Sequence, residues 1–229
     1  FYLGSVDLYR WLRELPAEEA RRIGMTRVSH INHLYGGQER LERAQRRDAR
    51  FFNTCMLMTA LGGAASDTLE DGRVVSGIGG QYNFVAMGHE LEDARSVLMC
   101  RATHGGTQHP SSNVRWTYGN LSIPRHPRDL AITEYGVADL RYQSDEDCVR
   151  AMISIADLRF QEELLTRAKA SRKLPPDARI APDRTPNTPE ALAERLGAAR
   201  RSGLLPDYPH GCDFTPVEQR LVRALGWMK

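Results

Sequence analysis

Residues 94–102, Ala94-Arg95-Ser96-Val97-Leu98-Met99-Cys100-Arg101-Ala102, decide the fold class of this chain. From Ser96 to Cys100 the apolar residues occupy consecutive positions instead of alternating with polar ones. A strand with that pattern presents apolar side chains to both faces of its sheet and needs a covering layer on each, as strands do inside α/β proteins. Outward from it lie further short runs with strand character: 27–35 (RVSHINHLY), 51–60 (FFNTCMLMTA), 72–80 (GRVVSGIGG) and 129–136 (DLAITEYG), each bounded by Gly, Asp or Asn. Ahead of them, Ser5 precedes an amphipathic spacing from Val6 to Leu15 that Pro16 stops, and a second helical piece ends at Gly24.

From Ser144 onward the pattern turns helical. Ser144 with Asp145, Glu146 and Asp147 forms an acid-rich first turn, and Val149, Met152, Ile153 and Ile155 form the stripe to be buried. Asp157 is placed to cap the next helix, which carries Phe160, Leu164, Leu165 and Ala168. A Pro-rich linker over 173–189 leads to two more helices, introduced by Thr188-Pro189 and Thr215-Pro216; Thr215 with Glu218 has capping-box spacing. No internal repeat is present.

The composition excludes several function classes. With 229 residues, 41% hydrophobic and 26% charged, the chain can bury a real core. No stretch reaches the roughly 18 apolar residues of a membrane span, and no signal pattern opens the chain, so a soluble, untargeted protein is expected. Starting at Phe1 inside structured sequence, it reads as a fragment or processed piece with an upstream part missing. Thirty-one basic and 29 acidic side chains leave a net charge of +2, too weak a field for a polyanion partner. Arg40, Arg43, Arg46, Arg47 and Arg50 are interleaved with Glu39, Glu42 and Asp48, the pattern of a solvated helix face, although one or two could still serve a phosphate. Cys55, Cys100, Cys148 and Cys212 are scattered and are expected as free thiols in a reducing cytoplasm. His30 and His33 sit on a run that alternates like a strand, where i and i+3 face opposite ways, so no shared metal is expected; His104 and His109 fall in a loop without further ligands.

Two strings carry chemistry. Ser76-Gly77-Ile78-Gly79-Gly80-Gln81-Tyr82-Asn83-Phe84 follows the apolar Val74-Val75, and its glycines let backbone N–H groups approach a negative oxygen. It is not a dinucleotide fingerprint, since tyrosine holds position 82 and the helix that should follow reads as interrupted; nor is it a P-loop. The same glycines also suit a purely structural turn. In Ile132-Thr133-Glu134-Tyr135-Gly136-Val137-Ala138-Asp139-Leu140-Arg141, Glu134 ends an apolar strand, where open α/β sheets place ligands; it could equally fix the following loop by accepting backbone hydrogen bonds. Asp139 and Arg141 read as loop-fixing. Asn53 is an amide in an apolar run and must find partners in the core or on a ligand.

Together these strings resemble the C-terminal domain of the acetyl-CoA hydrolase/CoA-transferase family, including 4-hydroxybutyrate and succinyl-CoA:acetate CoA-transferase-like members. The glycine string is similar to the family's S-G-x-G-G-Q-x-(D/N)-F, ITEYGVADLR to its V-T-E-Y-G-(I/V)-A-(D/H)-L-(R/K), and Asn53-Thr54 to an N-S/T pair ahead of both. The resemblance runs from Phe1 to about Lys173, and the tail is similar to that of longer bacterial members. It implies an α/β, CoA-transferase-like (NagB/RpiA-like) fold: a mixed or parallel sheet with helices on both faces and a helical C-terminal extension. The domains expected are 1–173, the acetyl-CoA hydrolase/transferase C-terminal domain, and 174–229, the linker and helical extension.

The resemblance further implies that a glutamate attacks an acyl-CoA thioester and becomes a glutamyl-CoA thioester, with Gly77, Ile78, Gly79, Gly80 and Gln81 as the oxyanion and CoA-binding segment. Glu134 and Asn53 match accessory positions in the active-site wall. The family's nucleophilic glutamate belongs upstream of FYLGSVDLYRWL and is absent here, so the isolated chain is expected to be inactive. Where the family often carries acids before the glycine loop, Leu57 and Thr59 stand, which bears on acceptor choice. Coenzyme A or acyl-CoA is expected as substrate, without a metal. The expected partners are a small carboxylate acceptor and an upstream N-terminal CoA-transferase domain, with a homodimer left open and neither nucleic acid nor membrane. The rival readings are a non-catalytic CoA-binding or regulatory module and a nucleotide-binding enzyme.

Overall fold

In the computed structural model, which describes residues 4–106, 108–180, 186–209 and 211–227, segment 94–102 contains an inner strand of a four-stranded sheet. The chain forms two compact units, Phe1–Arg27 with Leu196–Lys229, and Val28–Arg195.

The first unit contains helices α1 (Val6–Glu14) and α2 (Ala17–Ala20), and shares the last two helices of the chain described below. Ser5 caps α1 by accepting from the Leu8 amide at 3.3 Å, and Leu15, held extended before Pro16, ends it. The Val6 amide donates to Asp213 at 3.1 Å. No residue of α1 or α2 is fully buried.

In the second unit, α3 (Ser29–Asn32) and α4 (Glu39–Gln45) lead into β1 (Arg50–Thr54), β2 (Leu57–Thr59) and β3 (Ala64–Ala65). Then follow α5 (Gln81–Glu90), β4 (Arg95–Met99), β5 (Thr103–His104), β6 (Ser111–Ser112), β7 (Val114–Arg115), β8 (Leu130–Thr133) and β9 (Gly136–Asp139). Helices α6 (Asp145–Ser154) and α7 (Leu158–Ala170) come next, followed by α8 (Pro189–Arg201), which passes into the first unit, and α9 (Pro216–Trp227).

The main sheet has the order β1-β4-β8-β9, parallel across the first three strands and antiparallel at the last, so the α/β fold with a mixed sheet holds. On β4, Val97 and Leu98 are both buried, as consecutive apolar positions demand, and Ser96 is buried beside them with its amide donating to Asp129 at 2.7 Å. After Thr54 the chain leaves this sheet: the Cys55 amide still donates to Met99, but the Met56 amide donates to Ala65 in a second sheet, β3-β2-β7. Helix α5 packs on β1 and β4, α6 packs on β9, and α7 packs on α6. Their buried residues, including Val85, Leu98, Ala131, Val149, Met152 and Leu165, form one core.

Local end signals read from sequence reappear as hydrogen bonds. Ser144 accepts from the Asp147 amide at 3.1 Å, Asp157 from Arg159 at 3.1 Å, and Thr188 from Ala191 at 3.2 Å. Thr215 and Glu218 exchange bonds as a capping box.

Three readings are corrected. Residues 27–35 are not a strand: the His33 amide donates to Ser29 at 3.1 Å, closing the turn of α3. Val28, Ile31 and Leu34 are spaced by three, which suits a helical turn, and among them Leu34 is buried at 1% exposure. Val74-Val75 form no strand either; they are 74% and 53% exposed, and only a single bridge, Thr68 to Val74, crosses their loop. The helix after the glycines is unbroken, because Tyr82 and Asn83 carry it on from Gly80 without a competing cap.

Candidate functional site

Because β1, β4 and β8 are parallel, their carboxyl ends lie along one edge, where Thr54, Met99 and Ile132 stand in register. With strands ~4.8 Å apart, the ends of β1 and β8 are about 10 Å from each other. Asn53, Cys100 and Glu134 belong to this edge.

The glycine segment is brought to the same edge by one side chain. Gln81, the first residue of α5 and 5% exposed, donates through Nε2 to the Thr54 carbonyl at 3.1 Å. The bend before it is open: Gly77, Ile78 and Gly79 are exposed, and Gly80 is half-buried. Gly79 has φ +61°, a left-handed conformation that glycine adopts without strain, and a side chain added there or at Gly77 would meet nothing within 4 Å. A Cβ at Gly80, by contrast, would come 3.0 Å from Phe84 and 3.4 Å from the Asn32 amide nitrogen. Gly80 caps α5, so the unpaired N–H groups and positive dipole end of a ten-residue helix are presented at the bend.

Asn53 points to the helix side of the sheet, on the same face as Phe51, whose ring stacks on Phe84 of α5 at 5.7 Å. Its Nδ2 has no hydrogen-bond partner among the described residues; the same is true of Gln81 Oε1 and Asn32 Oδ1. Three buried amide atoms therefore lack partners, two of them on Asn32 and Gln81 beside Gly80, an arrangement that costs free energy unless a ligand or solvent completes it. Asn32 went unnoticed in the sequence because its segment read as a strand.

Glu134 occupies the turn between β8 and β9. It is exposed and uses Oε2 to accept from the Ala102 amide at 2.8 Å, which holds the chain leaving β4. Both properties weighed from sequence are thus present in one side chain: it fixes a loop, and it stays accessible. The turn around it is locked. Thr133 Oγ1 donates to the Ile155 carbonyl at 2.6 Å, and the Tyr135 hydroxyl donates to Asp157 at 3.0 Å. Asp157 is fully buried; burial pushes its carboxyl up, but bonds from Arg159 and Tyr135 outweigh this, and its pKa lies below the usual value. Burial, and then the bond to Asp157, raise the Tyr135 phenol. Neither Tyr135 nor Asp157 was assigned this partnership in the sequence, and no local signal marks it.

Cys55 and Cys100 sit side by side at the ends of β1 and β4. The hydrogen bond to Cys55, burial and the Glu134 charge together raise the Cys100 thiol. All four cysteines are unpaired, and Cys55, Cys100 and Cys148 are buried. Leu57 and Thr59 each have 5% exposure in β2, a place without room for a solvated acid. Asp139 pairs with Arg141, which also approaches Asp129 at 3.8 Å. The arginines around α4 mostly make structural contacts: Arg43 with Glu90, Arg46 with the His30 and His33 carbonyls, Arg47 with Glu92, and Arg50 with the Asp48 and Asp93 carbonyls.

His30 and His33 now share one helical turn, and His30 lies 3.9 Å from Glu42. His104 bonds Asn113 at 2.6 Å, and His109 is exposed. Among the described residues no group of three His, Cys, Asp or Glu side chains is arranged to hold a metal, and no helix is long and apolar enough to cross a membrane.

The profile of the acetyl-CoA hydrolase/transferase C-terminal domain matches residues 4–168. Among curated proteins, the chain is 27% identical over 170 residues to 4-hydroxybutyrate coenzyme A transferase of Clostridium kluyveri, covering 74% of this chain and 37% of that protein. It is 24% identical over 172 residues to a probable butyrate:acetyl-CoA coenzyme A-transferase of Syntrophomonas wolfei, covering 74% and 36%. The chain thus spans little more than a third of the length of these relatives. Among solved structures, RipA from Yersinia pestis superposes with TM-score 0.62 at 23% identity over 76% of this chain and 37% of that one, and bears on the fold alone.

Proposed function

Because this chain belongs to the acetyl-CoA hydrolase/transferase family, whose C-terminal domain matches residues 4–168, we propose that it is the CoA-side part of a cytoplasmic CoA transferase or acyl-CoA hydrolase working through a glutamyl-CoA thioester. The observation that carries the reading is the Gln81 to Thr54 hydrogen bond, which ties the open glycine bend and the N-terminus of α5 to the carboxyl edge that holds Asn53 and Glu134.

The proposed chemistry assigns the nucleophile to a glutamate outside this chain, in an upstream N-terminal domain. Its carboxylate adds to the thioester carbonyl, and the resulting oxyanion accepts hydrogen bonds from main-chain amides of residues 77–80. One such donor is worth about 3 kcal/mol in the transition state. Collapse breaks the C–S bond and leaves an acyl-glutamyl anhydride with CoA thiolate. Attack of that thiolate on the glutamyl carbonyl releases the acyl carboxylate and forms glutamyl-CoA. A small carboxylate acceptor then reverses the sequence, giving transfer; water in its place gives hydrolysis.

Asn53 and Gln81, each with an unpaired amide atom, orient the intermediate, while Glu134, held by Ala102, forms the wall on the acceptor side. In this reading residues 1–173 form the acting domain and 174–229 the linker and helical extension. No metal takes part.

The test is to incubate the full-length protein with acyl-CoA, trap with borohydride or hydroxylamine, and locate the modified glutamate by mass. A modified glutamate upstream of this segment is the expected result. Modification of Glu134 would overturn the assignment of the nucleophile, and CoA binding without any modified glutamate would make the protein a non-catalytic CoA-binding module.

A further inference from the structure

Two attachments hold the glycine bend: the later one runs from Gln81 to Thr54, and the earlier one has its anchor outside the strings that resemble family motifs. The earlier one is Asp67. Its carbonyl accepts from the Val75 amide at 2.8 Å and from the Ser76 amide at 3.3 Å, the last two residues before Gly77. Nothing packs within 4 Å of the positions a side chain would take at Gly77 or Gly79, so these main-chain bonds set where the bend begins.

The Asp67 side chain is itself anchored. One oxygen accepts from the Ser122 hydroxyl and the other from Thr68 Oγ1 at 2.7 Å, while the Ser122 hydroxyl in turn accepts from the Ser66 amide at 2.8 Å. Ser122 adjoins Ile123, which has no exposed surface and bridges to Ala64 of β3. A continuous path therefore joins the second sheet to the bend through one carboxylate. Those bonds hold the Asp67 carboxyl below the usual carboxylate range, which matches an acceptor engaged in its charged form.

We propose that Asp67 is a positioning residue for the reaction: by fixing its own carbonyl against Val75 and Ser76, it aims the amides of residues 77–80 at the oxyanion. This rests on the proposed role of the bend. The loop beyond it, whose tip is exposed and carries the Asp71–Arg73 pair, supplies the control, because Asp71 bonds within the tip and not to the bend.

The experiment compares Asp67→Asn, Ser122→Ala and Asp71→Asn in the full-length protein. Steady-state acyl-CoA kinetics are combined with hydrogen exchange of the Val75 and Ser76 amides. Asp67→Asn and Ser122→Ala are expected to lower kcat by about 10- to 100-fold with KM for acyl-CoA within about threefold, the signature of an interaction made in the transition state. Exchange at Val75 and Ser76 should accelerate about tenfold while the amides of β4 stay protected. The double variant should be no slower than the slower single one, since both break one path, and Asp71→Asn should behave as wild type.

Wild-type kcat and unchanged exchange in Asp67→Asn would overturn the inference. So would faster exchange that extends to β4, which would make Asp67 a general stabiliser of the fold. If the unaltered protein handles no thioester, the proposed function fails, and the exchange arm still decides whether Asp67 holds the bend.

Discussion

At the turn between β8 and β9, Thr133 and Tyr135 are tied to Ile155 and to the buried Asp157, and Glu134 between them is tied to Ala102. At the bend before α5, by contrast, residues 77–79 are exposed and are held from their two ends, at Asp67 and Gln81. Both regions serve the same sheet edge, yet one is a wall locked by side chains and the other an arc of main chain held only at its ends. In the proposed function the wall stands on the acceptor side, a role that gains from side-chain packing. The proposed role of the arc, bringing N–H groups close to an oxyanion, gains from glycines on either side of Ile78, whose own side chain is exposed.

The largest expected effect breaks the arc. Gly79→Val in the full-length protein forces a β-branched residue into a left-handed conformation with φ +61°, at a position where an added Cβ has no atom within 4 Å. Turnover should fall about 10²- to 10³-fold while the far-ultraviolet circular dichroism and cooperative unfolding are retained; normal kinetics would remove the bend from the mechanism.

The next effect breaks the wall. Asp157→Ala removes the cap of α7, leaves Arg159 without its partner and strands the Tyr135 hydroxyl. Urea denaturation should report a loss of about 2–4 kcal/mol, a loss in stability where Gly79→Val gives mainly a loss in rate. If Asp157→Ala unfolds at the same urea concentration as wild type, the turn is not locked as described.

The smallest effect sharpens the comparison at the far end of the wall. Asp145, in the first turn of α6, bonds Lys173 at 2.6 Å and approaches Arg128 and Arg125. Lys173 first, and Arg128 and Arg125 after it, hold its carboxyl down at about 2. Since the unfolded carboxyl titrates at ~3.9, the stabilisation is fully present above that value and is lost as pH falls through the folded value. With 31% of its side chain exposed, solvent screens part of the effect. Asp145→Asn should therefore cost about 1 kcal/mol at neutral pH, a cost that shrinks as pH falls below ~3.9 and vanishes only once pH is below the folded value, as measured by the difference in denaturation midpoints with wild type.

Legibility in the sequence followed the range of the interaction. Ser144, Asp157, Thr188 and Thr215 were readable as caps because each bonds an amide two or three residues away. The central strand was readable because burial on both faces demands consecutive apolar residues. Residues 27–35 and 72–80 were misread because apolar residues at Val28, Ile31 and Val74-Val75 fit a strand as well as a turn or loop, and only the presence or absence of a neighbouring strand separates the two. The glycine string and Glu134 were visible in two motifs and Asn53 in the N-S/T pair ahead of them, but the link between them was not: Gln81 reaches back 27 residues to Thr54.

By itself, then, the amino-acid sequence determined the α/β class, the helix ends and the two strings that carry the family, since all of these depend on neighbours within a few residues or on the pattern along one strand. Only the tertiary structure decided which groups meet: Gln81 with Thr54, Tyr135 with Asp157 and Asp67 with Ser122, the last two separated by 22 and 55 residues. Such pairs satisfy polar groups that burial has removed from water, and what is buried against what is settled only when the sheets and helices have packed.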